Sequence, residues 1–457
     1  MNITNLLIIL PAFLVTIGIL VTVHEFGHFW VARKLGVKVL RFSIGFGKPL
    51  WQRISSKDQT EYVIAALPLG GYVKMLDERE GEVPEDELGQ AFNRQSVWTR
   101  IAIVAAGPIA NFLLAIALYA AIFMTGNPAL YPFVSAQPET PAAEAGFQAG
   151  DKITAINGHE VASWDEARMR LLEDYLKSGR LAVQVQTQEG RQATRQLDLS
   201  QEALLKDEGD FLDKSGIQPW APEYEVILGK IHAGSAAKKA GLQTGDQVLA
   251  LNGERPKDAQ AVVDYVQARP EQSIAVRVER ASGVTTLQVT PQTKTVSGRE
   301  VGRIGAGLGM RVPEAVRSDL QFTQYFGPFN ALARGADKTW QMSVVTVKLM
   351  GRMLVGQVSL KNISGPITIA RYSGETAVAG LPYYLGFLAI VSLSLGILNL
   401  LPIPMLDGGH LLYYFIEIIK GSPVSARVEE FGLRFGMAVV AGIMVLAFYN
   451  DFMRLLN

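Results

Sequence analysis

Leu6 to Val23 reads LLIILPAFLVTIGILVTV, a run without charge, and it passes directly into His24-Glu25-Phe26-Gly27-His28. A helix needs about 20 apolar residues to cross the hydrocarbon core of a bilayer. The stretch therefore reads as a membrane span carrying three ionisable side chains at its end. A cleaved signal peptide is the competing assignment, but a basic start and a small-x-small cleavage site are both missing. Ile101–Met124 and Leu381–Leu406 are two further uncharged runs, and Phe435–Tyr449 is a fourth, extendable back to Phe431 past Arg434. The expected fold is a polytopic α-helical membrane protein with four transmembrane helices.

Composition agrees with that class. Hydrophobic residues make up 49% of the 457 and charged residues 19%, below the roughly 25% charge of a soluble domain. A disordered chain is thereby excluded. The 43 Lys and Arg balance the 43 Asp and Glu, so no global field recruits nucleic acid. Cysteine is absent, which removes disulfides, thiolate metal sites and Cys nucleophiles together.

Loop charge sets the expected orientation. Arg33, Lys34, Lys38, Arg41, Lys48, Arg53 and Lys57 crowd the stretch from Val31 to Lys57, which holds no acid, whereas Met1–Asn5 has neither Lys nor Arg. Excess positive charge stays cytoplasmic. Loops 31–100 and 411–434 are then cytoplasmic, and both termini and the polar middle, about Gly126 to Ala379, lie outside. Lys420 and Arg427 agree.

Within that middle, Ala142–Gly158 (AAEAGFQAGDKITAING) and Ala237–Gly253 (AKKAGLQTGDQVLALNG) match at a constant offset of 95 residues. Each reads as a short helix ending at a Gly, a Gly-Asp turn, and a strand closed by Asn-Gly. The repeat resembles the circularly permuted PDZ domain of bacterial envelope proteases, in two copies. PDZ domains accept a peptide beside an exposed strand; a spacer or size filter without ligand is the other reading. Further on, Phe322, Tyr325, Phe326 and Phe329 recur at helical spacing. They predict one apolar face, suited to the membrane surface or to packing on the domains.

The chemistry concentrates at His24-Glu25-Phe26-Gly27-His28. Four helical residues turn the chain about 400°, leaving the two imidazoles roughly 40° apart on one face. Both reach one metal, with Glu25 beside it to take a proton from water. Ionisable groups adjoining a membrane run are costly and mark function. A catalytic zinc takes three protein ligands and keeps one position open. His159 and His232 lie in the repeat, too far off. In the third apolar run Asn399-Leu-Leu-Pro402-Ile-Pro404-Met-Leu-Asp407-Gly408-Gly409-His410 offers Asp407, the preferred third ligand, or His410. Its prolines free backbone groups, which is tolerated at depth only where protein or water satisfies them.

The pair His24-Glu25-x-x-His28 and Asn399-x-x-Pro402-x-Pro404-x-x-Asp407-Gly408 resembles the site-2 proteases. Four spans with tandem PDZ copies between the second and third are similar to the RseP type of Gram-negative bacteria. The likeness extends to Ala106-Gly107-Pro108-x-x-Asn111 and Leu69-Gly70-Gly71-Tyr72-Val73-Lys74. It implies a zinc intramembrane endopeptidase in the inner membrane, with His24, His28 and Asp407 on Zn2+ and Glu25 as general acid/base. Its implied partners are single-pass membrane proteins such as an already trimmed anti-sigma factor, and leftover signal peptides. Thr60–Met75 predicts a hairpin on the cytoplasmic side of the membrane; the resemblance makes Gly70, Gly71, Tyr72, Val73 and Lys74, with Asn399 and Pro402, candidates for substrate contact. The expected division is 1–126 for the first two spans and hairpin, 127–222 and 223–312 for the PDZ copies, 313–380 for connecting amphipathic helices, and 381–457 for the last two spans.

Two other classes compete. A membrane PDZ adaptor would hold a structural metal or none, but a structural site closes with four ligands and needs no base. A transporter also uses broken helices, yet the only repeat found lies outside the apolar runs.

Overall fold

The computed structural model describes residues 3–200, 204, 211–221, 224–280, 282–296 and 299–456. The chain divides into two compact units, one holding Met1–Asn127 and Thr323–Asn457, the other Pro128–Gln201 and Leu212–Phe322.

In the first unit, α1 (Ile3–Lys34) carries the opening apolar run straight through the two histidines. Two bent strands follow, β1 (Val39–Ile54) and β2 (Glu61–Met75). The expected Thr60–Met75 hairpin is not formed, because β2 pairs with β1 rather than with itself. Residues 39–44 of β1 are central, flanked by 71–75 on one side and by 61–64 on the other, and 61–65 pairs outward with 49–54. Gly45 and Gly47, at φ 91° and 90°, supply the left-handed backbone that folds β1 back on itself. Residues 71–75 thus form one edge of a four-segment sheet. Phe29 of α1, Phe42 of β1 and Ile103 of α2 (Val97–Thr125) share its buried core. Ser96 caps α2, accepting from Thr99 N at 3.1 Å.

The second unit contains two sheets of one topology. The first has β3 (Phe133–Ala136), β4 (Asp151–Ile156), β5 (Arg180–Gln186), β6 (Gln192–Asp198) and β7 (Ile217–Pro219) along its main path, in the order β6-β5-β4-β3-β7, and a sixth, two-residue strand, His159–Glu160, pairs with β4 off that path. The second follows as β8 (Glu225–Ile231), β9 (Gln247–Leu251), β10 (Ile274–Arg280), β11 (Gly283–Val289) and β12 (Ala306–Arg311), in the order β11-β10-β9-β8-β12. The repeated Gly-Asp and Asn-Gly residues are internal ties. Asp151 accepts from Gln148 N at 3.0 Å and pairs with Arg195 at 3.0 Å. Asp246 accepts from Gln243 N at 2.9 Å and pairs with Arg280 at 2.6 Å. Asn157 and Asn252, at φ 47° and 48°, each accept a backbone N–H at 2.8 Å from the neighbouring strand.

The aromatic run after the repeat differs from its expected helix. Gln321–Gln324 is a strand, and the next helix, α3 (Pro328–Leu354), begins only at Pro328. Proline favours the first helical turn and holds the residue before it extended. The four residues are therefore not on one helix: Phe322 stacks on Tyr131 at 4.5 Å, Phe326 meets Phe123 edge-on at 5.7 Å, and Tyr325 and Phe329 are 69% and 90% exposed.

Beyond it come α4 (Pro366–Ala379), α5 (Leu381–Asn399), α6 (Asp407–Lys420) and α7 (Ala426–Leu456). The third apolar run is thus not one helix. It stops at Asn399, and Leu400–Leu406 is a break in which Met405 adopts φ 102° before α6 starts at Asp407. Among the described residues four helices are long and apolar enough to cross a membrane: Leu7–Lys34, Val97–Thr125, Leu381–Asn399 and Ala426–Arg454. α2 packs its Ala115, Tyr119 and Ile122 against Ala389, Leu393 and Ile397 of α5.

Candidate metal centre

One helical turn separates His24 from His28, and their rings stand edge to face with centroids 4.9 Å apart. The break after Asn399 lets α6 present its first residue to them. His24 Nε2 lies 3.3 Å from His28 Nε2, and Asp407 Oδ2 lies 3.3 Å from the first and 3.5 Å from the second. Ligands on a tetrahedral zinc at 2.0–2.1 Å stand about 3.3–3.4 Å from one another. The triangle has that size. Asp407 Oδ2 is buried and has no hydrogen-bond partner in the protein, a costly state unless a cation satisfies it. The three side chains are largely sheltered, 11%, 11% and 19% exposed. The donor set and its spacing fit zinc.

The remaining candidates are distributed as follows. His410 is exposed and lies against Tyr413, with ring centroids 6.5 Å apart; the metal-sized group among the described residues holds Asp407 and not His410. His159 and His232 belong to the second unit. Asn399 brings Nδ2 to 3.4 Å from His24 Nε2, while Pro402 sits exposed in the break. Glu25 faces the sheet edge: a Cβ on Gly71 would stand 2.9 Å from Glu25 Cγ and 2.7 Å from Ser43 O. Gly70, at φ 126°, lies under the Phe46 ring. Tyr72 stacks on Phe46 at 6.0 Å and accepts from Arg41 at 3.0 Å. Val73 packs on the Phe29–Phe42 core, and Lys74 pairs with Glu80 at 3.6 Å. No other strand among the described residues pairs with this edge.

Two groups of α2 back the histidines, and their roles went unread in the sequence. The Ile103 carbonyl accepts from His28 Nδ1 at 2.8 Å, and the Asn111 side-chain amide lies 3.0 Å from His24 Nδ1. The quoted Ala-Gly-Pro-x-x-Asn stretch was the available signal.

The family model described as Peptidase family M50 matches residues 12–443. The chain belongs to peptidase family M50. Among curated relatives, it is 43% identical to Regulator of sigma-E protease RseP of Escherichia coli K12 over 447 residues, 98% of each chain. It is 44% identical to Protease RseP of Yersinia pestis over 453 residues, again 98% of each. A putative zinc metalloprotease of Vibrio cholerae is 43% identical over 451 residues, 97% of this chain and 98% of the relative. This M50 chain is a zinc metalloendopeptidase that works in the membrane, and the non-catalytic adaptor is set aside.

Proposed function

We propose that His24, His28 and Asp407 are the zinc ligands and Glu25 the general acid/base of an endopeptidase that cuts single-pass membrane proteins in or near their spans. The observation that carries this reading is the triangle of ligand atoms, 3.3, 3.3 and 3.5 Å on its sides. Zinc, when bound, polarises a carbonyl and makes water nucleophilic at neutral pH. Glu25, next to His24 on the same helix, accepts the proton of the attacking water and returns it to the leaving nitrogen. The amide bond breaks, and a carboxylate and an amine result.

A substrate helix shields its carbonyls in hydrogen bonds and must be unwound before attack. The free edge at Gly70–Lys74 passes beside Glu25 and offers unpaired backbone groups to an extended peptide. Asn399, whose Nδ2 lies 3.4 Å from His24 Nε2, and Pro402 in the break that follows it are further candidates for substrate contact. Residues 127–222 and 223–312 are two PDZ copies, on the periplasmic side with both termini; loops 31–100 and 411–434 are cytoplasmic. The support is the shared sheet topology, whose last strands β7 and β12 are edges, together with the basic first loop. The relatives are named as regulators of sigma-E; a trimmed anti-sigma factor in an envelope stress response is the substrate proposed here, and leftover signal peptides are of the same single-span class.

The test is Glu25→Gln. Purified in detergent, this variant retains zinc and fails to cleave a single-span substrate that the wild type cuts. Wild-type turnover in the variant removes Glu25 from the mechanism, and a wild type without zinc removes the ligand assignment.

A further inference from the structure

Ile103, Gly107 and Asn111 of α2 stand four residues apart and share one face of the helix. That face is turned to the histidines of α1. Ile103 O accepts from His28 Nδ1 at 2.8 Å. A Cβ on Gly107 would stand 2.5 Å from Cε1 and 2.8 Å from Cδ2 of His28, so the missing side chain is the space the imidazole fills. Asn111 is fully buried, and one atom of its amide, Nδ2, lies 3.0 Å from His24 Nδ1. The other, Oδ1, is buried without a partner. The Asn111 backbone is fixed from its far side, where Ser392 Oγ donates to Asn111 O at 2.8 Å.

Chemistry decides which amide atom belongs on His24. A neutral imidazole that ligates through Nε2 carries its proton on Nδ1. The group facing Nδ1 must then accept, and an amide turned about its last bond offers Oδ1 there.

We propose that Asn111 is a positioning residue for the metal centre: its side-chain carbonyl accepts the Nδ1–H of His24 and holds the ring with Nε2 toward zinc, as Ile103 O holds His28. The inference rests on the ligand assignment proposed above.

The experiment uses the full-length protein in detergent and compares wild type, Asn111→Leu, Asn111→Asp and His24→Ala. Zinc affinity is measured by chelator competition, and the visible spectrum is recorded after cobalt substitution. Loss of an outer-shell partner costs about 10–100-fold in metal affinity. Asn111→Leu shows that loss with an altered cobalt spectrum, whereas Asn111→Asp, which keeps an acceptor, binds zinc at least as tightly as wild type. A loss below about tenfold in Asn111→Leu overturns the proposal. So does an Asn111→Asp variant as weak as Asn111→Leu, since packing alone would then be at work. If Asn111→Leu does not fold, Asn111→Ala removes the acceptor without adding volume and carries the same expectation. His24→Ala binding zinc like wild type would instead sink the ligand assignment itself.

Discussion

Gly71→Ala tests whether the sheet edge and Glu25, the proposed acid/base, are one working unit. The added methyl would stand 2.7 Å from Ser43 O, 2.9 Å from Glu25 Cγ and 2.9 Å from Val21 Cγ1. Ordinary contacts of this kind are about 3.5–4.0 Å, so something must give by roughly 0.6–1.3 Å. Ser43 cannot easily yield: it lies in the central segment of the sheet, 1% exposed, with its hydroxyl bonded to Gly45 O at 3.0 Å. The displacement therefore falls on the edge segment and on Glu25. A misplacement of about 1 Å at a reacting group costs about 100-fold in rate. The expected result is a fall in kcat of about 10–100-fold on a single-span substrate, with zinc content equal to wild type. Gly81→Ala, where an added methyl meets nothing within 4 Å, serves as the control and stays unchanged. Wild-type kcat in Gly71→Ala would refute the coupling of edge and acid, and loss of zinc would show that the strain travels to the histidines instead.

Other outcomes follow from named contacts. Asp407→Asn removes the only anionic member of the triangle and lowers zinc affinity by more than the about 100-fold upper range for an outer-shell partner; an unchanged affinity by chelator competition contradicts the ligand role. Arg100 donates to Glu417 at 2.6 Å between α2 and α6, the pair being 13% and 16% exposed. Either single neutral variant should lose about 1–3 kcal/mol of stability, and the double variant Arg100→Gln/Glu417→Gln should recover part of it; additive losses in thermal unfolding would show no coupling. Arg94, then Asn93, hold the Glu78 carboxyl down at about 2 by hydrogen bonds. A depressed carboxylate contributes order that is present above its ordinary range and lost as pH falls toward its folded value. Pepsin, which is active through this range, should accordingly cut the 77–94 stretch faster, relative to an unstructured peptide of the same sequence, as pH falls from about 4.5 to about 2, and a flat ratio would contradict the pairing.

The spans and the histidine pair of the proposed ligand set were legible because each is written locally. Uncharged runs announce the helices, and His24 and His28 sit at helical spacing. Asp407 lies hundreds of residues away in sequence, and it became visible through the two prolines that end α5 at Asn399. The sheet was harder. β1 alternates poorly, and Gly45, Gly47 and Pro49 interrupt its pattern where the strand folds upon itself, so the sequence predicts only the hairpin at Thr60–Met75. Phe322 to Phe329 kept a helical interval by coincidence across a strand and a proline-started helix. Asn111 pairs with His24 across two helices, and no periodicity within either helix reports such a contact.

The sheet edge beside Glu25 bears on where cuts can fall. Successive residues of a paired strand point to opposite faces. A peptide laid along Gly71–Met75 by the proposed pairing shows only every other side chain to the helices. Sliding by one residue inverts that set, whereas sliding by two restores it and carries the peptide about 6.6 Å along the strand. Scissile bonds within one substrate should therefore obey a parity rule, with secondary cuts an even number of residues from the principal one.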